Sequence, residues 1–540
     1  MLDSSPIELS LPQSPEQLKA AFCSAGATAA QRIGAVAAAL HSPAGPALRK
    51  AAGKWIVEHL PIEELVPEEY ARWRVLVQDA MQFTVCTLSA GRLAPKLVEQ
   101  WQLPANTPTE ERLLRLIAKV PGLQKLGQVL ARNRHLLPAL RRALSQLENG
   151  ISDMDAAEVR RIVLKELGPR LKENQVKLRP GIFSEASVSA VVRFTWWNPE
   201  LQRREPGVFK VMKPYIPACF AEDMELLAKL AKYLGARHRG YGFAPRVLPD
   251  TFRDVRQLLQ HEVHFAREQA TLEEARRLYR GVPGVRVPRV IRPLCASNIT
   301  ALTEEHGKKI TDAARRMPLW QRLRLSEQLI EAFVAVPIFA AESNALFHAD
   351  PHAGNLLYDS NPRELVILDW ALTERVSREQ RRRLGLLFVM AALRDPVGIR
   401  QQIEELSRRR RKIGARQSRI IRECVERFIA KLPLTRLPEA VDTTNLLEDI
   451  AFKGVRLPAP LIMLRKVLFT LDGIQHDLGA GEVGMASIMA RQGLQRWLTS
   501  WTSLGSPLTL RDWMGVQWST LFLGGRLCAQ AVHAARSAVA

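Results

Sequence analysis

Leu346-Phe347-His348-Ala349-Asp350-Pro351-His352-Ala353-Gly354-Asn355-Leu356-Leu357, followed by Leu365-Val366-Ile367-Leu368-Asp369-Trp370, is the stretch on which the reading of this chain turns. It has the texture of loop, strand, turn and strand, inside a region whose other apolar residues recur at helical spacing. Phosphoryl transfer from a nucleotide needs a carboxylate beside the incoming nucleophile, an amide oxygen and a second carboxylate on magnesium, and a cation on the phosphates. The first three occur here in order as Asp350, Asn355 and Asp369. Read alone, an aspartate before proline only initiates a loop. The ordered set points to chemistry. His348 reads as a support of backbone geometry through hydrogen bonds, and His352 as polar filler.

Asp350 and Asn355 are separated as the Asp and Asn are in the kinase pattern H-R-D-x-x-x-x-N, His348 stands where its His would, and Asp369 opens a D-F-G-like turn. The cation should lie upstream on a strand. Val208-Phe209-Lys210 resembles the V-A-I-K strand, which makes Lys210 the first choice and Lys213, followed by Pro214, the competitor. A long helix is expected over roughly Asp254 to Tyr279. It would carry Glu262 and Glu268, six apart and so about 120° from each other at roughly 100° per residue; both cannot face Lys210 in the same way.

Working outward, residues 1–25 read as a flexible leader without an address signal. Helical periodicity follows, and at Lys177 the pattern turns to alternation, with a hairpin whose tip holds Trp196 and Trp197 as an exposed apolar patch or an interface contact. The composition, 47% hydrophobic and 24% charged over 540 residues, is that of a folded protein of two or three packed units. Six dispersed cysteines form no C-x-x-C pair, which argues against zinc and redox couples and for a reduced, cytoplasmic setting. The formal net charge of +22 asks for an acidic partner, such as a phosphorylated ligand or an anionic membrane surface. Nucleic acid is not indicated, since no nucleic-acid motif accompanies the charge. The runs Arg381-Arg382-Arg383 and Arg408 to Lys412 read as solvated faces of surface helices. The best candidate for a spanning segment, Trp513 to Ala534, is interrupted by Gly524, Gly525 and Arg526, so a membrane could be touched but not crossed.

The loop His348-Ala349-Asp350-Pro351-His352-Ala353-Gly354-Asn355 closely resembles the H-A-D-P-H-P-G-N signature of the UbiB (AarF-like) family of atypical protein-kinase-like proteins. A second mark of that family, K-x-G-Q in a helical segment before the kinase lobe, appears as Lys125-Leu126-Gly127-Gln128. The resemblance runs from about residue 110 to 480, ending with the helical stretch Leu461 to Ile474. It implies an α+β, two-lobed protein-kinase-like fold with an N-terminal helical extension, predominantly helical overall. The expected divisions are a helical extension over 26–176 including the KxGQ segment, an N-lobe over 177–305, a C-lobe over 306–500 and a helical tail over 501–540.

The resemblance also implies roles. Lys210 would hold ATP phosphates with Glu268 as its helix partner, Asp350 would serve the attacking hydroxyl or water, and Asn355 and Asp369 would hold Mg2+. The family's alanine-rich nucleotide loop is occupied by Ser184-Glu185-Ala186-Ser187, so Ala186 and Ser187 would lie at the nucleotide. Glu262 would begin the family's E-x-D motif, which here reads Glu262-Val263-His264, and Lys125 and Gln128 would belong to a segment folded over the site. Asp369-Trp370-Ala371 replaces D-F-G. The implied activity is that of an atypical kinase or ATPase linked to isoprenoid quinone biosynthesis and lipid handling, peripheral at the inner face of a membrane, with an isoprenoid lipid or quinone precursor as partner. The alternative is a pseudokinase scaffold that binds nucleotide without turnover.

Overall fold

Apolar residues at three- and four-residue steps fold as α1 (Ala29–His41), α2 (Gly45–His59), α3 (Ala71–Thr87), α4 (Ala90–Gln102), α5 (Thr109–Ile117) and α6 (Pro121–Ala131). The computed structural model describes residues 28–131, 154–407, 414–479, 488 and 509–539, apart from 65, 67, 69–70, 243–244, 246, 434–437, 439, 454 and 456–458. The leader and the basic run from Arg408 to Lys412 lie outside the described residues. Two compact units are formed, Met1–His264 with Pro293–Thr300, and Phe265–Arg292 with Ala301–Ala540.

In the first unit, Thr28 caps α1 by a reciprocal bond with Gln31, satisfying donors that would otherwise be orphaned at the helix start. Leu93, Leu97 and Trp101 follow a four-residue step along α4 and are buried, with Trp101 edge-on to Trp55. Beyond α7 (Ala156–Glu173), the strands β1 (Lys177–Leu178), β2 (Ser184–Glu185), β3 (Ser189–Asn198) and β4 (Arg203–Met212) pair antiparallel, and α8 (Tyr215–Ala236) and α9 (Val247–Glu262) follow. Alternation along β4 turns Phe209 and Val211 into the core, where Phe209 stacks on Phe194 at 3.9 Å, and places Lys210 on the opposite face across from Val191.

Asp223 on α8, fully buried, ties the extension to this sheet domain. It pairs with Arg92 of α4 at 2.7 Å and accepts the Gly122 N–H at the start of α6 at 2.8 Å. Burial pushes its carboxyl up, against the pull of Arg92. A Cβ at Gly122 would meet Leu227 at 3.1 Å, so the close approach of α6 to α8 depends on that glycine.

Two sequence expectations are corrected here. Trp196 is 4% exposed and lies within β3 opposite Glu205; the reversal is made by Pro199 to Gln202, with Asn198 Oδ1 accepting the Glu200 N–H. It is a core residue rather than part of a tip patch. The single helix expected from Asp254 to Tyr279 is two, because α9 ends at Glu262 and α10 (Phe265–Leu278) begins after Val263 and His264. Leu259 and Phe265, both buried, are six residues apart and thus about 120° out of phase on one helix. A continuous rod could not bury both faces.

The second unit contains α10, β5 (Val285–Arg286), β6 (Lys308–Lys309), α11 (Ile310–Ala314), α12 (Leu319–Ile330), β7 (Asn344–His348), β8 (Leu356–Asp359), β9 (Glu364–Ile367) and β10 (Thr373–Ser377). The sheet order is β5-β9-β8-β6, and β10 pairs with β7. Helices α13 (Arg378–Ala392), α14 (Pro396–Ser407), α15 (Ala415–Lys431), α16 (Ala440–Phe452), α17 (Ala459–Leu478), α18 (Leu510–Leu521) and α19 (Leu523–Val539) complete it.

The arginine run on α13 is not a solvated face. Arg381 is fully buried and donates to the carbonyls of Pro337, Ile338, Ala340 and Glu342, Arg382 pairs with Glu379 and Asp512, and Arg383 with Glu379. Those carbonyls end a helical stretch and need donors, which is why a guanidinium is buried there. On α18, Asp512 bound to Arg382 and Ser519 bound to Asp395 face inward. Leu510, Met514, Trp518 and Leu521 are left as an exposed apolar stripe. Among the described residues no helix is long and apolar enough to cross a membrane.

Candidate active site

The second unit assembles the loop and turn that carry the acids. β7 ends at His348, whose ring is fully buried between Phe333 and Trp370, edge-on to both. Its Nε2 lies 2.5 Å from the Asp369 carbonyl, so that nitrogen bears the proton, and its Nδ1 accepts the Asp350 N–H at 3.2 Å. Burial holds the imidazole pKa below its ordinary value, in keeping with a neutral ring. One histidine therefore ties the backbones of Asp350 and Asp369 together, the support role expected of it.

The loop closes through short backbone bonds: His352 N–H to Asp350 C=O (2.8 Å), Asn355 N–H to His352 C=O (3.0 Å) and Leu368 N–H to Asn355 C=O (3.0 Å). His352 is more than filler, because its Nε2 lies 2.8 Å from Asn355 Nδ2. With the amide nitrogen held there, Asn355 Oδ1 remains as the acceptor atom of the amide. Asp369 Oδ1 accepts the Ala371 N–H at 2.8 Å, and Trp370, fully buried against Tyr279, bonds the Ile367 carbonyl through Nε1. The indole anchors the turn that Asp369 opens.

One carboxylate and one amide oxygen are too few to cage a metal, and among the described residues no group of three or more acidic, His or Cys ligands converges. The hard oxygen pair suits Mg2+, which keeps waters and takes its remaining ligands from phosphates. The residues present fit that ion. Lys466 of α17, within the stretch that marked the end of the sequence resemblance, places Nζ 3.9 Å from Asp350 Oδ1. Periodicity gave no hint of it.

In the first unit the nucleotide-loop segment is a tight hairpin: Ala186 N–H bonds Ser189 C=O at 2.7 Å, and Glu185 lies opposite Ala190. Ser187 Oγ donates to Glu262 Oε2 at 3.3 Å, and Lys125 pairs with the other oxygen of Glu262. Ala186, Ser187, Glu262 and Lys125 are thus brought together. Gln128 lies on α6, but its side chain is outside the described residues. His264 is exposed beyond the end of α9. Lys213, the competitor for the phosphate role, is fully buried in an ion pair with Glu185, whereas Lys210 stays half-buried on its strand face. Glu268 is buried on α10 of the second unit, so the six-residue rotation argument between it and Glu262 does not apply.

The His-braced loop and the acid-bearing turn that follows it keep the order of the protein-kinase pattern. Residues 146–403 match the ABC1 atypical kinase-like domain. Over these residues, just under half of its length, the chain carries an ABC1 atypical kinase-like domain. It is 24% identical over 375 residues to an uncharacterized protein, sll1770, of Synechocystis, covering 67% of this chain and 60% of that one. It is 26% identical over 275 residues to a probable protein kinase UbiB of Marinobacter nauticus, covering 50% and 48%. The chain thus spans about half to three fifths of the length of these relatives. A solved structure, the Rv3197–erythromycin complex from Mycobacterium tuberculosis, overlaps 70% of this chain and 95% of that one at 18% identity, with a TM-score of 0.43.

Proposed function

We propose that the chain binds MgATP and uses it as an atypical kinase or ATPase. The observation that carries this reading is the His348 brace, which fixes Asp350 and Asp369 in one backbone arrangement. Lys210 holds the phosphates with Glu268 as its partner, and Asn355 Oδ1 and Asp369 hold Mg2+. When bound, such an ion would supply charge neutralisation at the transferred phosphoryl group. Asp350 orients the attacking hydroxyl or water and takes its proton, while Lys125 and Glu262 keep α6 over the nucleotide hairpin. The exposed stripe on α18 and the net charge of +22 support contact with an anionic membrane surface, and with it an isoprenoid or quinone-type substrate.

The test is MgATP binding and hydrolysis by the native chain, Lys210→Met and Asp369→Asn, with and without anionic vesicles. Turnover should fall at least a hundredfold in both variants. Equal turnover in the native chain and Asp369→Asn would sink the enzyme reading, and binding without any turnover would leave a pseudokinase scaffold.

A further inference from the structure

Helices α3, α4, α5, α6 and α8 line a partly open apolar cavity of about 150 Å³ in the first unit. Met81, Val85, Leu93, Leu116 and Ile117 make much of its wall. Two polar side chains also reach it, and both are turned to backbone. Thr84 Oγ1 donates to the Ala80 carbonyl at 2.8 Å. Lys96 Nζ donates to the Ala118 carbonyl and lies 3.4 Å from that of Arg115, at the end of α5. The cavity therefore presents hydrocarbon to whatever enters it.

Native interiors hold few spaces larger than a water molecule, and a recess of this size walled by aliphatic side chains favours apolar solutes over water. Leu123, Leu126 and Gly127 of α6 form part of the wall. The same helix carries Lys125, which pairs with Glu262.

We propose that this cavity is a binding site for an uncharged apolar group, an aromatic ring or the end of a hydrocarbon chain, and that its occupancy steadies α6. The site reaches the nucleotide reading above only through Lys125 and Glu262. A chain that takes up the apolar probe but never binds MgATP would fail that reading and keep this one.

The test uses the full chain with toluene as probe. Saturating toluene should raise Tm by several degrees, as a ligand selective for the folded state must. It should also slow amide exchange across residues 121–131 several-fold. Ala80→Leu and Thr84→Leu, each designed to fill the cavity from α3, should fold with the native circular dichroism and lose the toluene response. If one fails to fold, the other carries the test, and exchange in the native chain stands independently of both. No toluene shift in the native chain, or the same shift in a folded filling variant, would overturn the site. A Tm shift with unchanged exchange over 121–131 would overturn the coupling to α6.

Discussion

Lys213 Nζ lies 3.1 Å from a carboxylate oxygen of Glu185, with both side chains almost fully withdrawn from water. Glu185 sits in β2, in the segment Ser184 to Ser187, and Lys213 neutralises the charge it brings. This pair accounts for the competitor lysine.

Breaking the pair from one side strands a buried charge, at a cost of about 3–5 kcal/mol. Glu185→Ala alone should therefore lower stability by that order in urea denaturation. Glu185→Leu combined with Lys213→Met should recover most of it. Additive losses in the double variant would contradict the pairing.

Lys125→Met and Glu262→Gln each remove one end of the link between α6 and α9. A double-mutant cycle should show a coupling of about 0.5–3 kcal/mol. Either single change should also increase amide exchange in α6. Strict additivity would mean that the two side chains act independently.

The loop and turn that carry Asp350, Asn355 and Asp369 were legible because the apolar runs that become β7 and β9 lie beside them in the sequence. The helix break at Val263 was not, since it follows from the phase of Leu259 against Phe265, visible only once both are known to be buried. Arg381 looked solvated because a charge run carries no mark of the carbonyls that claim it. Lys466 was hidden for another reason: more than a hundred residues separate it from Asp350, and only the fold brings them within 3.9 Å.

A cation at that distance from a carboxylate interacts by about 4 kcal/mol at the effective dielectric near a protein surface. The Lys466 side chain is 38% exposed, and solvent screening leaves roughly 1 kcal/mol. Lys466→Met should thus slow turnover about fivefold with KM for ATP little changed. A purely structural lysine would alter Tm and leave kcat as it was.

His348 gives the pH dependence a definite sign. Its folded pKa is depressed by burial below the ordinary 6.5, so the unfolded chain binds more protons as the medium becomes acidic. The stability that the neutral ring provides is fully present above about 6.5 and is lost as pH falls from there toward the depressed value. His348→Gln, which can still donate to the Asp369 carbonyl, should flatten that part of the stability profile. An unchanged profile would show that the acid sensitivity arises elsewhere.

The joint between α9 and α10 leaves His264 exposed and outside either helix, at the place where the resemblance expects the second acid of E-x-D. Histidine and aspartate codons differ only in their first base. A substitution at such a place disturbs no packed neighbour, so the missing acid is within reach of a single nucleotide change. Aspartate at 264 would need no repair of the fold around it.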